Sequence, residues 1–151
     1  MSNLLRQYRR TQRQLRDLYD PFTAEHCPTC ETPCCRKPVR VDAIDIALAE
    51  AHGCALPPHA DPEEERNAAA RDVLEGVVPI YFQESVPCDF LGETGCAYPR
   101  DLRPYGCTRY VCDPMKRLMA PSKLREIKQL LKKLDYLHDQ IVAAARGRSH
   151  K

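Results

Sequence analysis

The stretch SKLREIKQLLKKLDYLHDQIVAAAR, residues 122–146, decides the fold expected for this chain. Its apolar residues recur at heptad-like spacing, which predicts one long amphipathic helix. The apolar stripe consists of Leu124, Ile127, Leu131, Leu134, Ile141 and Ala145, and it is widened by Leu130 and Leu137. Because a small domain needs such an area for its own core, packing of this helix on an N-terminal helix is favoured. A homodimer through residues 122–146 is the alternative interpretation.

The N-terminal segment contains the partner for that helix. Residues 3–19 place apolar side chains on one face at helical spacing, with arginines and glutamines opposite. The apolar face consists of Leu4, Leu5, Tyr8, Leu15, Leu18 and Tyr19. Pro21 is expected to end the helix. The basic face consists of Arg6, Arg9, Arg10, Arg13 and Arg16, and a solvated surface is favoured over a nucleic-acid interface because aromatic interleaving is limited to Tyr8.

Two shorter helices are predicted from their start and stop signals. Asp42 is a suitable N-cap for a second helix, which Gly53 ends. A third helix is expected to begin at the N-cap Asp61 and to run to about Glu75, with Gly76 as its stop. The chain is therefore predicted to be a mainly α, small single domain.

Three further features carry weaker predictions. Asp113 and Pro114 can open a short helix. The segment VVPIYF, residues 77–82, is predicted to be a short edge strand or buried extended chain. His138 lies on the stripe of the C-terminal helix and is interpreted as a partly buried helix histidine rather than a metal ligand.

Length and charge limit the classes of protein to which this chain can belong. The chain has 151 residues, 29% of them charged, and a formal net charge of +2, which fits one domain over residues 1–151. This charge is too near balance to indicate nucleic-acid binding, which is disfavoured. The N-terminal residues contain no apolar signal-peptide core, and no apolar run approaches the roughly 20 residues that span a bilayer. A cytoplasmic location without a membrane partner is expected.

Nine cysteines are many for a chain expected in the cytoplasm, where reductants keep thiols reduced. Eight of them form two groups, CPTCETPCC at residues 27–35 and CDFLGETGCAYPRDLRPYGCTRYVC at residues 88–112. The candidate metal ligands are Cys27, Cys30, Cys34, Cys35, Cys88, Cys96, Cys107 and Cys112. Clustered thiolates suit zinc or an iron–sulfur cluster, so metal binding is favoured over disulfide or redox pairing. Cys54 is left over and is interpreted as a small buried apolar side chain.

Local geometry and charge refine this metal site. Adjacent side chains in extended chain point to opposite sides, so Cys34 and Cys35 are expected to serve two centres, or one of them to pack in the core. A four-thiolate centre carries a net charge of about −2. Arg36, Arg103 and Arg109 are therefore expected to offset this charge and to hydrogen-bond the sulfurs. Because metal binding contributes directly to folding, the metal-free chain is expected to lose structure.

Taken together, the two cysteine elements resemble the YkgJ-type cysteine cluster family of bacterial proteins, described as zinc- or iron-chelating. The early element matches at Cys27, Cys30, Cys34 and Cys35. The later element matches at Cys88, Phe90, Leu91, Gly95, Cys96, Tyr98, Arg103, Pro104, Cys107 and Arg109. This chain has one extra residue between Cys96 and the Arg103-Pro104 pair, and the match covers residues 27–112. The resemblance implies a metal centre in a cysteine-rich region, without a defined reaction.

Two functions follow as hypotheses. The first is a metal-binding protein whose zinc or iron–sulfur centre is structural or transfers electrons. The alternative is an enzyme that uses the centre for redox chemistry or methyl transfer, because some longer relatives of the family resemble flagellin lysine N-methylases. Glycine-rich nucleotide loops and Ser/His/Asp arrangements are missing from the sequence, and no catalytic residue is identified.

Overall fold

The chain is mainly helical, as predicted. The computed structural model describes residues 1–30, 41–61, 63–64, 67–68, 71, 74–76, 88–93 and 95–148. In chain order the helices and strands are α1 (Ser2–His26), α2 (Ala43–Ala51), β1 (Leu91–Gly92), β2 (Gly95–Cys96), α3 (Tyr105–Arg109), α4 (Asp113–Leu118) and α5 (Pro121–Arg148). Within the described ranges no helix is both long and apolar enough to cross a membrane.

The main core lies between α1 and α5, which confirms that the long C-terminal helix packs on the N-terminal helix. The fully buried apolar side chains of this core are Tyr8, Leu15, Tyr19, Met115, Met119, Ile127, Leu134, Leu137 and Ile141. Burying one such side chain contributes about 1.5–3 kcal/mol, so this seam supplies much of the stability of the fold. The apolar stripe of α5 is thus used within the chain, and a homodimer through residues 122–146 stays a prediction.

Helix α1 is longer than expected, because Pro21 does not end it. A proline inside a helix loses the N–H that would have donated to the carbonyl of Asp17, and its ring crowds that carbonyl. Phe22 packs against the main core and lies 4.2 Å from the ring of His26, which holds the chain in helical conformation past the proline. Consequently α1 runs to His26, and Cys27 is its C-cap residue, donating its N–H to the carbonyl of Thr23.

The start and stop signals of the shorter helices are confirmed where the structure describes them. Helix α2 begins after Asp42, and Gly53 follows it with a φ of +76°, a left-handed conformation that favours glycine. Glu63 donates its N–H to the carboxylate of Asp61 at 2.7 Å, and Gly76 has a φ of +73°. The short helix at Asp113 is also confirmed. Residues 77–82 lie outside the described residues.

The second cysteine region contains more regular structure than the loops predicted for it. Strands β1 and β2 form an antiparallel hairpin that pairs Leu91 with Cys96, and α3 follows at Tyr105. Phe90 and Tyr98 lie on either side of the hairpin and meet edge to face, with ring centroids 5.1 Å apart. Together with Val41 and Ala49 they form a second, smaller core cluster, whose burial accounts for the added order.

The carboxylate of Asp45 joins α2 to α3. Its side chain is 2% exposed, and it accepts the N–H of Asp42 at 2.9 Å and the N–H of Tyr105 at 3.0 Å. Burial raises the pKa of Asp45 to about 6, although both hydrogen bonds favour the charged form. The ring of Tyr105 stacks on that of His138 at 3.8 Å, so the same junction reaches α5.

Asp45 makes stability depend on pH in a defined window. Its folded-state pKa of about 6 lies above the ordinary value of 3.8, so the folded protein binds the additional proton as the pH falls from about 6 to about 4. The wild type is therefore expected to gain about 3 kcal/mol in the free energy of unfolding relative to Asp45→Asn across this window. Urea denaturation at pH 7, 5 and 4 measures the difference.

A matched control is Asp113→Asn, which changes an exposed carboxylate and is expected to follow the wild type. Burial lowers the pKa of His138, so this residue reduces stability as the pH falls, but it does so in wild type and variant alike and cancels in the difference. A constant gap between wild type and Asp45→Asn from pH 7 to 4 would contradict the assignment.

Candidate metal centre

Arginines of α1 hold the turn that precedes Cys107. Arg9 and Arg13 donate to one carboxylate oxygen of Asp101, at 2.9 Å and 2.7 Å. Burial opposes the charge of Asp101, but the two guanidinium groups outweigh it and lower the pKa of this carboxyl below its ordinary value. These two members of the predicted basic face thus bind within the chain.

Along the same surface of α1 the charges are exchanged, because Arg100 of the turn pairs with carboxylates of the helix. Its guanidinium lies 3.2 Å from a carboxylate oxygen of Asp17 and 2.8 Å from one of Asp20. Because all three side chains are exposed, these ion pairs contribute little to stability. They do align the turn with about three turns of α1, from Arg9 to Asp20.

Buried hydrogen bonds hold the next segment more firmly. Gln12, which is fully buried, donates to the backbone carbonyl of Arg103 at 2.8 Å and accepts the hydroxyl of Thr108 at 2.8 Å. Tyr19 donates its hydroxyl to the backbone carbonyl of Thr108 at 3.1 Å. Cys107 is therefore carried on a segment that α1 holds directly at both ends.

Arg16 is a functional candidate that the sequence analysis missed. It was assigned to a solvated basic face, but only 8% of it is exposed, and its guanidinium carbon lies 4.8 Å from the ring centroid of Tyr19. Burial lowers its pKa, and the positive charge of Arg103 lowers it further, while Cys107 is among the groups that favour its charged form. The spacing from Tyr8 to Gln12 to Arg16 is four residues each, which aligns Arg16 with the apolar face and could have revealed it.

Two arginine donors of this region lack an acceptor within the part of the chain that the structure describes. The Nε atoms of Arg16 and Arg103 are both buried and without a hydrogen-bond partner among the described residues. Leaving a buried donor unsatisfied costs about 1–3 kcal/mol, and more when the group is charged. Such donors call for an anionic acceptor in their vicinity.

The hydroxyl of Tyr98 is a third buried donor of this kind. Tyr98 is 3% exposed, and its hydroxyl has no hydrogen-bond partner in the described part of the chain. Burial raises its pKa most, followed by Asp45 and then by the thiols of Cys96, Cys107 and Cys54. Three cysteines thus lie in the electrostatic surroundings of a hydroxyl that is free to donate.

The predicted ligands that the structure describes lie on or next to α1, the hairpin, α3 and α4. Cys27 caps α1, and Cys30 closes the following 3₁₀ turn by donating its N–H to the carbonyl of Cys27 at 3.2 Å. Cys88 and Cys96 pack against the second core cluster, and Cys112 precedes α4 beside the main core. Cys34, Cys35 and Arg36 lie outside the described residues. Among those described, no three Cys, His, Asp or Glu side chains are grouped closely enough to hold a metal ion.

Arg109 and Cys54 have contacts elsewhere in the chain than at the predicted metal ligands. Arg109 was expected to bond the sulfurs, but it is exposed and donates to Asp135 of α5 at 3.1 Å, which raises its pKa. The sulfur of Cys54 donates to the carbonyl of Ala97 at 3.6 Å and packs with the second core cluster. Cys54 therefore contacts a backbone carbonyl and apolar side chains, which are the surroundings expected of a packing residue.

The chemistry of the remaining donors fits a thiolate centre. Buried N–H and O–H groups of Arg16, Arg103 and Tyr98 have no partner among the described residues. Cys107 acts electrostatically on Arg16 and Tyr98, and Cys96 acts on Tyr98. Metal-bound thiolates are strong acceptors for such groups, and hydrogen bonds of this kind tune a metal site. Isolated neutral thiols would accept them only weakly.

Comparisons with protein-family models, with curated proteins and with solved structures found no match to this chain. The resemblance to the YkgJ-type family therefore stays a prediction that depends on the cysteine motifs quoted above. The functional argument depends on the geometry of the residues themselves.

Thr108→Val tests the attachment of the Cys107 segment to α1. The substitution keeps the shape of a fully buried side chain but leaves the carbonyl oxygen of Gln12 without its donor. The free energy of unfolding is expected to fall by about 1–3 kcal/mol, measured by urea denaturation.

Thr11→Val is the matched control, because the equally buried Thr11 hydroxyl donates to the carbonyl of Gln7 in its own helix. Its loss is expected to cost less, since that carbonyl keeps its helical hydrogen bond. Equal losses in the two variants would show that the bond between Gln12 and Thr108 does not hold the segment.

Proposed function

We propose that this chain is a metal-binding protein that holds a zinc or iron–sulfur centre through cysteine thiolates, in a structural or electron-transfer role. The proposed ligands are drawn from Cys27, Cys30, Cys34, Cys35, Cys88, Cys96, Cys107 and Cys112. The observation that carries the proposal is the group of buried donors of Arg16, Arg103 and Tyr98, which have no acceptor among the described residues, with Cys107 acting electrostatically on two of them. The cytoplasm, where thiols stay reduced, is the proposed location.

Charge supports a thiolate centre over idle thiols. The guanidinium groups of the buried Arg16 and the half-buried Arg103 repel one another, which is costly unless a negative charge compensates them. A four-thiolate centre supplies about two negative charges, in the form of soft sulfur acceptors. Without such a centre, Arg16 would be compensated chiefly by the ring of Tyr19 and by the exposed carboxylate of Asp20.

The number and position of the cysteines determine which role such a centre can have. Bound zinc would join distant segments, and a bound iron–sulfur cluster would supply one-electron chemistry. Eight cysteines favour fully ligated sites, whereas a catalytic zinc keeps an open position for water or substrate. The rigid helix α1 would carry Cys27 and hold the Cys107 segment, so that both halves of the ligand set belong to one body.

Replacing a proposed ligand is expected to lower bound metal and stability together. Structural zinc contributes about 10–16 kcal/mol to folding, so losing one thiolate of four should cost on the order of 3 kcal/mol. Cys107→Ser and Cys27→Ser, purified without oxygen, are compared with the wild type by elemental analysis, absorption spectrum and thermal unfolding.

Cys54→Ser is the control, since its sulfur has a backbone carbonyl as partner, and it is expected to keep its metal. Absorbance near 400 nm that bleaches on reduction indicates an iron–sulfur cluster, and a colourless zinc-loaded protein indicates zinc. A folded wild type that contains no transition metal would overturn the proposal. Binding of S-adenosylmethionine would favour the methyl-transfer alternative.

Tyr98→Phe tests whether a sulfur accepts the buried hydroxyl. If it does, the variant is expected to lose metal to a competing chelator about tenfold faster than the wild type, because second-layer hydrogen bonds tune metal affinity. Tyr8→Phe is the matched control, because the hydroxyl of Tyr8 accepts the amide of Gln12 at 3.2 Å, and its removal should lower stability without changing metal retention. Unchanged metal retention and higher stability in Tyr98→Phe would mean that the hydroxyl is simply unsatisfied.

A further inference from the structure

Arg16 and Arg103 form a pair of like charges in which the Arg16 side chain is buried and the Arg103 side chain is half-buried, which is an unusual arrangement. Arg16 belongs to the buried face of α1, and Arg103 lies in the segment that α1 holds. The two guanidinium groups repel one another, and each has a buried Nε without a hydrogen-bond partner among the described residues. Burial strengthens this repulsion, so the pair requires a compensating anion.

The position of Arg16 on α1 determines where that anion would lie. Gln12, one turn before it, binds the carbonyl of Arg103 and the hydroxyl of Thr108. Tyr19, one turn after it, binds the carbonyl of Thr108. Arg16 therefore lies between two side chains that both contact the segment 103–108. Of the two ionisable acids in that segment, Tyr105 donates its hydroxyl to Asp135, which leaves Cys107.

The carboxylates around Arg16 do not supply the anion. Asp20 is the one that favours its charged form, but Asp20 is 39% exposed and already lies 2.8 Å from Arg100. Asp101 is bound by Arg9 and Arg13. Two other groups favour the charged form of Arg16, namely Tyr19 and Cys107. The hydroxyl of Tyr19 already donates to the carbonyl of Thr108, which leaves Cys107 as the candidate anion.

We propose that the buried Nε donors of Arg16 and Arg103 together form an anion site whose ligand is the metal-bound thiolate of the exposed Cys107, and that Arg16 thereby controls how tightly the centre is held. This inference rests on the proposed function and adds to it a residue from outside the cysteine region. Arginine suits the role because its guanidinium stays charged and donates in several directions from one rigid plane. Arg16 acts through the sulfur ligand and is a positioning residue.

The test uses Arg16→Met and Arg16→Lys in the full-length protein, purified without oxygen. Methionine fills similar space without charge, so Arg16→Met should fold at least as stably in the presence of a chelator, because a buried charge has been removed. The same variant should lose metal to the chelator about tenfold faster than the wild type. Arg16→Lys, which keeps a charge but not the planar donor group, should fall between the two.

Arg10→Gln is the matched control, since Arg10 is an exposed arginine of the same helix, and it should match the wild type in both measurements. If the centre is an iron–sulfur cluster, Arg16→Met should also shift its reduction potential to more negative values, a change that a purely structural role would not produce. Circular dichroism reports whether each variant retains its helices.

The outcomes separate this inference from the proposed function. A wild type without metal removes the proposed function, and this inference with it. A metal-loaded wild type whose Arg16→Met and Arg16→Lys variants retain metal equally well overturns only the role of Arg16. Inorganic phosphate provides a further test: if millimolar phosphate raises the melting temperature of the metal-free wild type but not of Arg16→Met, the site binds a free oxyanion and the assignment to Cys107 is wrong.

Discussion

The buried amide of Gln12 is the interaction on which the arrangement of this protein depends. It lies on the face of α1 that also packs on α5, and it bonds at once to the backbone of Arg103 and the hydroxyl of Thr108. A fully buried amide would be costly without such partners, so the main core and the cysteine segment are coupled through one side chain. Any displacement of the segment that carries Cys107 would leave this amide unsatisfied.

This coupling explains why the site and the fold cannot be treated separately. Helix α1 contributes Tyr8, Leu15 and Tyr19 to the core, while the same helix carries Cys27 at its C-terminal end. Arg16 belongs to both systems, because it is buried with the core and is influenced by the charge of Cys107. A metal centre in this region would therefore stabilise the contact between α1 and the cysteine segment, and that contact would in turn keep the sulfurs in place.

Local signals in the sequence predicted the helices well, and tertiary contacts explain the errors. Helix α2 begins after Asp42 and ends before Gly53 as expected, because capping is decided by side chains a few residues away. Pro21 was assigned as a stop, but packing of Phe22 on the core outweighs the loss of one hydrogen bond. The hairpin at Leu91 was not predicted, since its two-residue strands are stabilised by the burial of Phe90 and Tyr98.

What the sequence alone determined is most of the helices, the apolar seam between the terminal helices, and the concentration of thiols in two segments, because periodicity and composition are properties of the chain itself. Only the tertiary structure decided which charged groups surround those thiols. It buried Arg16 beside Arg103, and it directed Arg109 towards Asp135 instead. The physical reason is that burial and electrostatic pairing depend on residues distant in sequence, about which a pattern along one helix carries no information.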